Sequence, residues 1–96
     1  MAYRLTQKAE EDLTEVLLNG IRDFGPDQAE AYLAELLETC DVLSDNPALA
    51  RLREEFRPPV RIHPHGAHII IYRDIENDIL IIRIRHGRED WVRDGN

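Results

Sequence analysis

The sequence contains little cysteine and no long hydrophobic run, and each shortage excludes a class of protein. Its one cysteine, Cys40, cannot form an internal disulfide or supply a multi-cysteine zinc site, and this usage fits a reducing compartment. The segment Met1–Ala9 has no uninterrupted apolar stretch, so we expect neither a signal peptide nor a membrane span. The sequence therefore predicts a cytoplasmic protein without membrane contact.

Motifs for nucleotide binding and for nucleophilic catalysis are also missing. There is no glycine-rich phosphate-binding loop, and no serine or cysteine lies in a nucleophile signature. Cys40 falls on an apolar helical stripe, which favours a buried core thiol over a reactive one. The many carboxylates of the first half lie mostly opposite the apolar positions, so we interpret them as a solvated surface. We expect no cofactor.

Histidine is confined to the second half of the chain. No spacing among the four histidines matches a strong zinc signature, and Pro64 and Gly66 indicate a turn in the segment that holds most of them. We therefore expect histidines at turns and strand ends and no metal site.

Charge differs sharply between the two halves. The net charge of the chain is −7. Residues 1–48 hold three cations and eleven anions, and residues 49–96 hold nine arginines and eight anions. Lys8 is the only lysine. Because guanidinium groups suit bidentate pairing with carboxylate or phosphate, the second half favours carboxylate-rich or phosphate-rich partners.

The first half has the spacing of two amphipathic helices. With 96 residues there is room for one hydrophobic core, so we expect a single domain over residues 1–96. The first helix is predicted to begin near Gln7 and to end at Gly25, and the second to begin at Pro26 and to end at Asn46-Pro47. So short a connection requires an antiparallel hairpin. The apolar positions are Ala9, Leu13, Val16, Leu17, Ile21 and Phe24 in the first helix, and Ala29, Tyr32, Leu33, Leu36, Leu37, Cys40 and Leu43 in the second.

Strands are predicted at the N-terminus and throughout the second half. The predicted strands are Ala2–Leu5, Val60–Pro64, Ala67–Arg73 and Ile79–His86, with the third of them central because it is the most apolar. Turns are indicated at Gly66 and at Glu76-Asn77-Asp78. The fold class is therefore α+β in the order β-α-α-β-β-β, with a two-helix hairpin packed on a mainly antiparallel sheet. Residues 87–96 are interpreted as a brief terminal helix or tail.

Two finer predictions concern the sides of the sheet and the loop before it. Alternation places Leu80, Ile82 and Ile84 on one face of the last strand, and we expect the helices to cover that face. In the loop Ser44–Pro59, the apolar residues Leu49, Leu52 and Phe56 are expected to tuck against the protein as a short helical turn.

An arginine surface on the other face of the sheet is the main functional clue. Its members would be Arg61, Arg83 and Arg85, with Arg73 and Arg88 at strand ends and with His63 and His86 beside them. Three interpretations stay open: a solvated face typical of antiparallel sheets, a phosphate-binding ribonuclease surface, or a docking face for a partner's acidic segment.

Spaced residues along nearly the whole chain match a known pattern. They are Ala9, Asp12, Leu13, Val16, Phe24-Gly25, Gln28-Ala29, Tyr32, Leu36, Leu43, Asn46-Pro47, Arg61, Gly66, His68, Tyr72-Arg73, Ile82-Arg83-Ile84, His86-Gly87-Arg88 and Asp90. In this order the chain resembles the RelE/ParE superfamily of toxins from type II toxin-antitoxin systems, and the ParE branch most closely.

The resemblance implies a toxin that a co-expressed ParD-like antitoxin holds inactive by wrapping it with a helix and a strand. ParE-like toxins poison DNA gyrase, whereas RelE-like relatives cut messenger RNA on the ribosome. The RelE branch is usually basic and lysine-rich, but this chain is acidic and has no lysine after Lys8. This difference favours gyrase poisoning without catalysis and without strong direct nucleic-acid binding. The alternatives are a RelE-type endoribonuclease and a non-toxic protein-binding module.

Three sets of site residues follow from the resemblance and from the arginine surface. For antitoxin binding, in a groove between hairpin and sheet, the set is Leu13, Leu17, Ile21, Tyr32, Arg61, Tyr72, Arg73 and Arg83. For target binding it is Arg85, His86, Arg88 and Trp91. If the protein is a ribonuclease, the catalytic set is Arg61, Arg83 and His86.

Overall fold

The predicted order of helices and strands is confirmed by a computed structural model that describes residues 3–87. The elements are β1 Tyr3–Leu5, α1 Gln7–Phe24, α2 Pro26–Asp45, a 3₁₀ turn Pro47–Leu49, β2 Leu52–Arg53, β3 Val60–His65, β4 His68–Ile75 and β5 Asp78–His86. The two-residue strand β2 was not predicted. The predicted terminal helix or tail lies almost entirely outside the described residues.

Short-range signals set the ends of the helical hairpin. The hydroxyl of Thr6 accepts the Ala9 N–H at 3.0 Å and so satisfies one of the free donors at the start of α1. Gly25 links the two helices at φ 91°, a conformation that a residue with a side chain rarely adopts. Pro26 then occupies the first turn of α2, where its missing N–H has no cost. The predicted boundaries of the hairpin are therefore confirmed.

The sheet has five strands in the order β1-β5-β4-β3-β2. β1 pairs with β5 in parallel, and the remaining pairs are antiparallel. The prediction that the most apolar strand is central is confirmed, since β4 lies in the middle. Gly66 at φ 56° and Asn77 at φ 65° form the two hairpin turns, because both residue types tolerate positive φ.

The helices cover one face of the sheet, which we call the near face. Its core is fully or almost fully buried and consists of Ala9, Leu36, Cys40, Leu43, Ala50, Ile70, Tyr72, Ile79, Ile81 and Ile84. The opposite face, which we call the far face, holds a smaller apolar cluster of Phe56, Val60 and Ile71 with half-buried Ile62, Ile69 and Ile82 packed against it. Within residues 3–87, neither helix has the long apolar run that a membrane span requires.

A β-bulge makes the predicted faces of β5 wrong for Leu80 and Ile82, whereas Ile84 faces the helices as expected. Ile71 pairs with Arg83 while Tyr72 pairs with Ile81, so Ile82 is an extra residue without its own partner in β4. The extra residue shifts the alternation by one position. As a result Ile82 faces the far side, whereas Ile81 and Ile84 both face the helices.

The predicted helical turn of three apolar residues in the loop after α2 is also wrong. A 3₁₀ turn exists at Pro47–Leu49, but Leu49 is 58% exposed. Leu52 instead belongs to β2 and is 37% exposed, because pairing with β3 extends the chain at this point. Only Phe56 tucks in, against the far face and not against the helices.

Candidate functional site

A groove of about 840 Å³ lies between the hairpin and the adjoining ends of β4 and β5, and we call it the hairpin groove. Its helical wall includes Asp12, Glu15, Val16, Gly20, Asp23, Phe24, Gln28, Tyr32 and Glu35. Its sheet wall includes Ala67, His68, Arg83, Ile84, Arg85 and His86. Carboxylates predominate on the helical wall, which also holds Arg22, whereas arginine and histidine line the sheet wall.

Three large apolar side chains of α1 are open to solvent, and one of them, Phe24, lines the hairpin groove. On α1, Leu18 is 59% exposed, Ile21 is 36% exposed and Phe24 is 66% exposed. The three lie at three-residue steps, so they form one continuous row, which we call the α1 apolar row. Of the apolar positions predicted for α1, those nearer its start pack on the core, whereas Ile21 and Phe24 remain exposed.

Asp12 holds the floor of the groove in place. Its Oδ2 accepts from Arg83 Nε at 2.8 Å and its Oδ1 accepts from Arg83 Nη2 at 3.0 Å. The N–H of Ile84 also donates to Oδ2, at 2.9 Å. Both side chains of the pair are mostly buried, at 11% and 19% exposure. The carboxylate thus joins α1 to the bulge in β5 and fixes the position of Arg83.

Tyr32 and three histidines meet at the turn between β3 and β4. The Tyr32 hydroxyl donates to the backbone oxygen of His65 at 3.1 Å and lies 2.7 Å from Nδ1 of His68. Burial raises the pKa of Tyr32, so the phenol stays protonated at neutral pH. The His68 and His86 rings meet edge to face with centroids 5.5 Å apart. Among residues 3–87, no three His, Cys, Asp or Glu side chains are arranged to hold a metal ion.

The tight turn at Gly66 maintains this arrangement. A Cβ at Gly66 would lie 2.7 Å from the Tyr32 hydroxyl, and the residue also has positive φ. Glycine is therefore required, because the backbone has positive φ and because any Cβ would clash with the Tyr32 side chain.

The three candidate ribonuclease residues are not brought together. Arg61 donates to Asp74 Oδ2 through Nε at 3.1 Å and Nη2 at 3.0 Å, and to the Ala50 oxygen through Nη1 at 2.7 Å. Arg61 pairs with Tyr72 of β4, and Tyr72 pairs with Ile81 of β5. His86 lies five residues beyond Ile81 in β5, which is roughly 16 Å along the strand. Arg61 and His86 therefore occupy different regions of the sheet.

The single arginine surface predicted from the sequence is wrong. Arg61 lies on the near face, in the same alternation phase as Tyr72 and Asp74 across the β3–β4 pair. Arg73 lies on the far face. Arg83 and Arg85 pair with far-face Ile71 and Ile69, although both side chains also line the hairpin groove. The cross-strand register therefore separates Arg61 from the other arginines, and it is not visible in the alternation of one strand.

The predicted antitoxin-binding residues are likewise dispersed. Leu13 packs on the core, Leu17 and Tyr32 are half-buried, and Ile21 belongs to the α1 apolar row. Tyr72 is fully buried, with its hydroxyl donating to the Pro47 oxygen at 2.7 Å, so it has no surface to offer a partner and we remove it from the set. Arg83 alone among the arginines of the set lines the hairpin groove.

The predicted target-binding set is only partly described. Arg85 and His86 lie at the end of β5, beside the hairpin groove. Arg88 and Trp91 lie outside the described residues.

Sequence reasoning missed two features of the site. Asp12 was recognised as part of a pattern but not as the partner of Arg83, although a carboxylate three residues after Ala9 and four before Val16 lies on the buried stripe and signals an ion pair. Leu18 was not assigned a role, because a lone leucine off the stripe carries no signal by itself.

Comparison with known proteins agrees with this fold and order of residues. A family model described as the ParE toxin of the type II toxin-antitoxin system parDE matches residues 3–91. Toxin ParE1 of Mycobacterium tuberculosis (strain H37Rv) is 36% identical over 92 residues, which cover 95% of this chain and 94% of that protein. Toxin ParE1 of Caulobacter vibrioides is 30% identical over 84 residues, covering 88% and 86%.

The fold also matches a solved structure. A chain described as the chromosomal ParDE TA system from P. aeruginosa superimposes with a TM-score of 0.75 at 23% identity, over 90% of this chain and 95% of that one. With the family model spanning residues 3–91 and two ParE1 toxins aligned over most of their length, the chain belongs to the ParE toxin family of type II toxin-antitoxin systems.

Proposed function

We propose that this ParE-family toxin stops growth by poisoning DNA gyrase, without breaking bonds itself, and that a ParD-like antitoxin neutralises it by binding in the hairpin groove. The observation on which this depends is the exposed α1 apolar row, whose Phe24 also lines the hairpin groove. Both proposed partners are cytoplasmic, so the toxin would act in the cytoplasm.

The α1 apolar row supports antitoxin binding. Solvated proteins seldom expose contiguous large apolar side chains unless a partner covers them. A row at three-residue steps fits the apolar face of a partner helix, which would bury Phe24 and Ile21 at its centre. The charged walls would then fix the register of the bound segment.

The arrangement of the arginines supports a non-catalytic mode of action. Cleavage of RNA needs a base, an acid and cations that converge on one phosphate. Arg61 and Arg83 are each held by a carboxylate, and Arg61 is far from His86. A bound phosphate would have to compete with Asp12 or Asp74 for either guanidinium group.

One observation favours the ribonuclease alternative. His68 and His86 lie edge to face next to the Tyr32 hydroxyl, and two imidazoles near a phenol resemble an acid-base pair. If purified protein cleaves transcripts at a defined site and the His86→Ala variant does not, catalysis replaces gyrase poisoning as the mechanism.

Induced expression followed by assays with purified gyrase tests the main proposal. Growth arrest distinguishes a toxin from a non-toxic binding module. Inhibition of supercoiling, with accumulation of cleaved DNA, is the expected result with purified gyrase. Growth arrest combined with unimpaired gyrase would contradict the proposed target.

Replacement of Phe24 tests antitoxin binding. Because a large aromatic side chain at the centre of an interface is a typical hot spot, Phe24→Asp should weaken antitoxin binding by about 30-fold or more in calorimetry. Leu49→Asp is the matched control, since Leu49 is similarly exposed but lies in the 3₁₀ turn after α2. Equal affinities for the two variants would show that the antitoxin binds elsewhere.

A further inference from the structure

The far face has a second groove, on the opposite side of the sheet from the hairpin groove. It has a volume of about 270 Å³. Aliphatic side chains of β4 and β5 form its floor, namely Ile71, Leu80 and Ile82, and Arg57 and Arg73 form part of its rim. We call it the far-face groove. It is smaller than typical small-molecule pockets, so its size suits an anchoring side chain of a larger partner.

The arginines of the far-face groove differ in their contacts. Arg83, which lines this groove as well as the hairpin groove, is held by Asp12 at 2.8 Å. Arg57 and Arg73 form no ion pair with any residue in the described range 3–87. Two guanidinium groups beside half-buried aliphatic surface are thus available for carboxylates from outside, and charge-assisted bonds of this kind are among the strongest polar contacts.

We infer that the far-face groove is the docking surface for the toxin's target, and that it receives a protein segment in which an apolar side chain is flanked by carboxylates. This inference rests on the proposed function, because it assumes that the chain acts on a target. The apolar side chain would cover Leu80 and Ile82, and the carboxylates would pair with Arg57 and Arg73.

A protein segment fits this groove better than a nucleic acid. Nucleic-acid-binding surfaces depend on many cations, but this chain has a net charge of −7. Aliphatic side chains cannot bind a phosphate through charge or hydrogen bonds, whereas their burial against an apolar side chain of a partner favours binding through the hydrophobic effect. The toxin would then hold its target on one side of the sheet and its antitoxin on the other.

Separate disruption of the two grooves is the test. The double variant R57E/R73E should lose growth arrest and bind purified gyrase about 100-fold more weakly, because it reverses two charge-assisted contacts. Its affinity for the antitoxin should equal that of the unmodified protein, which also shows that it is folded. R4E/R51E changes the net charge equally at exposed positions and should still arrest growth. Conversely, Phe24→Asp should weaken antitoxin binding but keep growth arrest.

Each outcome decides between the inference and the proposed function. If R57E/R73E arrests growth normally, the inference is wrong even if gyrase is the target. If R57E/R73E loses growth arrest but the unmodified protein does not affect gyrase, the docking surface stands and the proposed target is wrong. Loss of antitoxin binding by R57E/R73E, repeated with the milder R57Q/R73Q variant, would show one shared surface and would also overturn the inference.

Substitution of Leu80 in the floor of the far-face groove tests which kind of partner binds there. Leu80→Asn should weaken target binding as strongly as R57Q/R73Q if a protein segment binds. If only the arginine substitutions weaken target binding and the protein retains a DNA duplex in a gel-shift assay, the partner is a nucleic acid and the inference is overturned.

The only tryptophan of the chain, Trp91, reports whether the chain's own last residues occupy the groove. A change in its fluorescence on Leu80→Asn, without any partner present, would show that residues 88–96 occupy the groove, and this result would overturn the inference.

Discussion

The two faces of the sheet have similar composition but different burial. On the near face Ile70, Ile79 and Ile81 are completely buried under the helices. On the far face Ile71 is nearly buried, but Ile62 and Ile82 remain half-buried around a groove with an arginine rim. The same amino acid therefore forms the core on one side and stays partly accessible on the other.

The largest expected effect comes from isoleucines that are adjacent in sequence but lie on different faces. Ile81→Ala should lower the free energy of unfolding by about 3 kcal/mol or more, since it leaves a cavity in a fully buried core. Ile82→Ala should cost about 1 kcal/mol, because solvent and neighbours can fill the space on the far face. Urea denaturation measures both values. Equal losses would mean that the far face is as well packed as the near face.

The Asp12–Arg83 and Asp74–Arg61 pairs should also differ in their contribution to stability, because the first is more buried. Asp12→Asn should cost about 3 kcal/mol, because it leaves Arg83 unpaired in a mostly buried position and weakens the bond to the Ile84 N–H. Asp74→Asn should cost about 1 kcal/mol, since Asp74 is 47% exposed and solvent screens its pair with Arg61. Thermal unfolding of the two variants gives the comparison, and a larger loss for Asp74→Asn would contradict it.

Thr6 joins the start of α1 to the bulge in β5. Its hydroxyl accepts the Ala9 N–H and donates to the Ile82 oxygen at 2.7 Å. Thr6→Ala should therefore cost about 1 kcal/mol of stability. Thr14→Ala is the control, because the Thr14 hydroxyl bonds to the exposed Glu10 oxygen within its own helix and its loss should change stability by less than about 0.5 kcal/mol.

Thiol labelling should distinguish the buried near face from the accessible far face in the folded protein. Cys40 is fully buried, and burial raises the pKa of its thiol to about 12, so at pH 8 it is both inaccessible and protonated. We expect no reaction with a thiol reagent until urea unfolds the chain. A Leu80→Cys variant should react at one site per chain in the folded state. Rapid labelling of Cys40 in the unmodified protein would show that the near face opens readily.

Much of the fold was predictable because its signals are local. The ends of the helices follow from Thr6, Gly25 and Pro26, and the strand turns follow from Gly66 and Asn77. Each of these residues favours its conformation through its own backbone preference or a bond to a near neighbour. The overall order of elements, and with it the family, could therefore be recognised before any contact was known.

The candidate site was less predictable, since it depends on which residues meet across the sheet. Residues 79–82 are all aliphatic, so either alternation phase fits an apolar face, and the sequence contains no sign of the bulge. The β3–β4 register separated Arg61 from Arg83 and Arg85. A tertiary contact also placed Arg83 against Asp12, 71 positions away in the chain.

The sequence by itself determined the helices, the turns, the central strand and the family, because backbone preference and periodic hydrophobicity act over a few residues. Tertiary structure alone decided which isoleucines are core, which arginines are paired and where two separate grooves lie. The reason is that strand register and burial are set by non-local partners, and the same residue types can satisfy either face of a sheet.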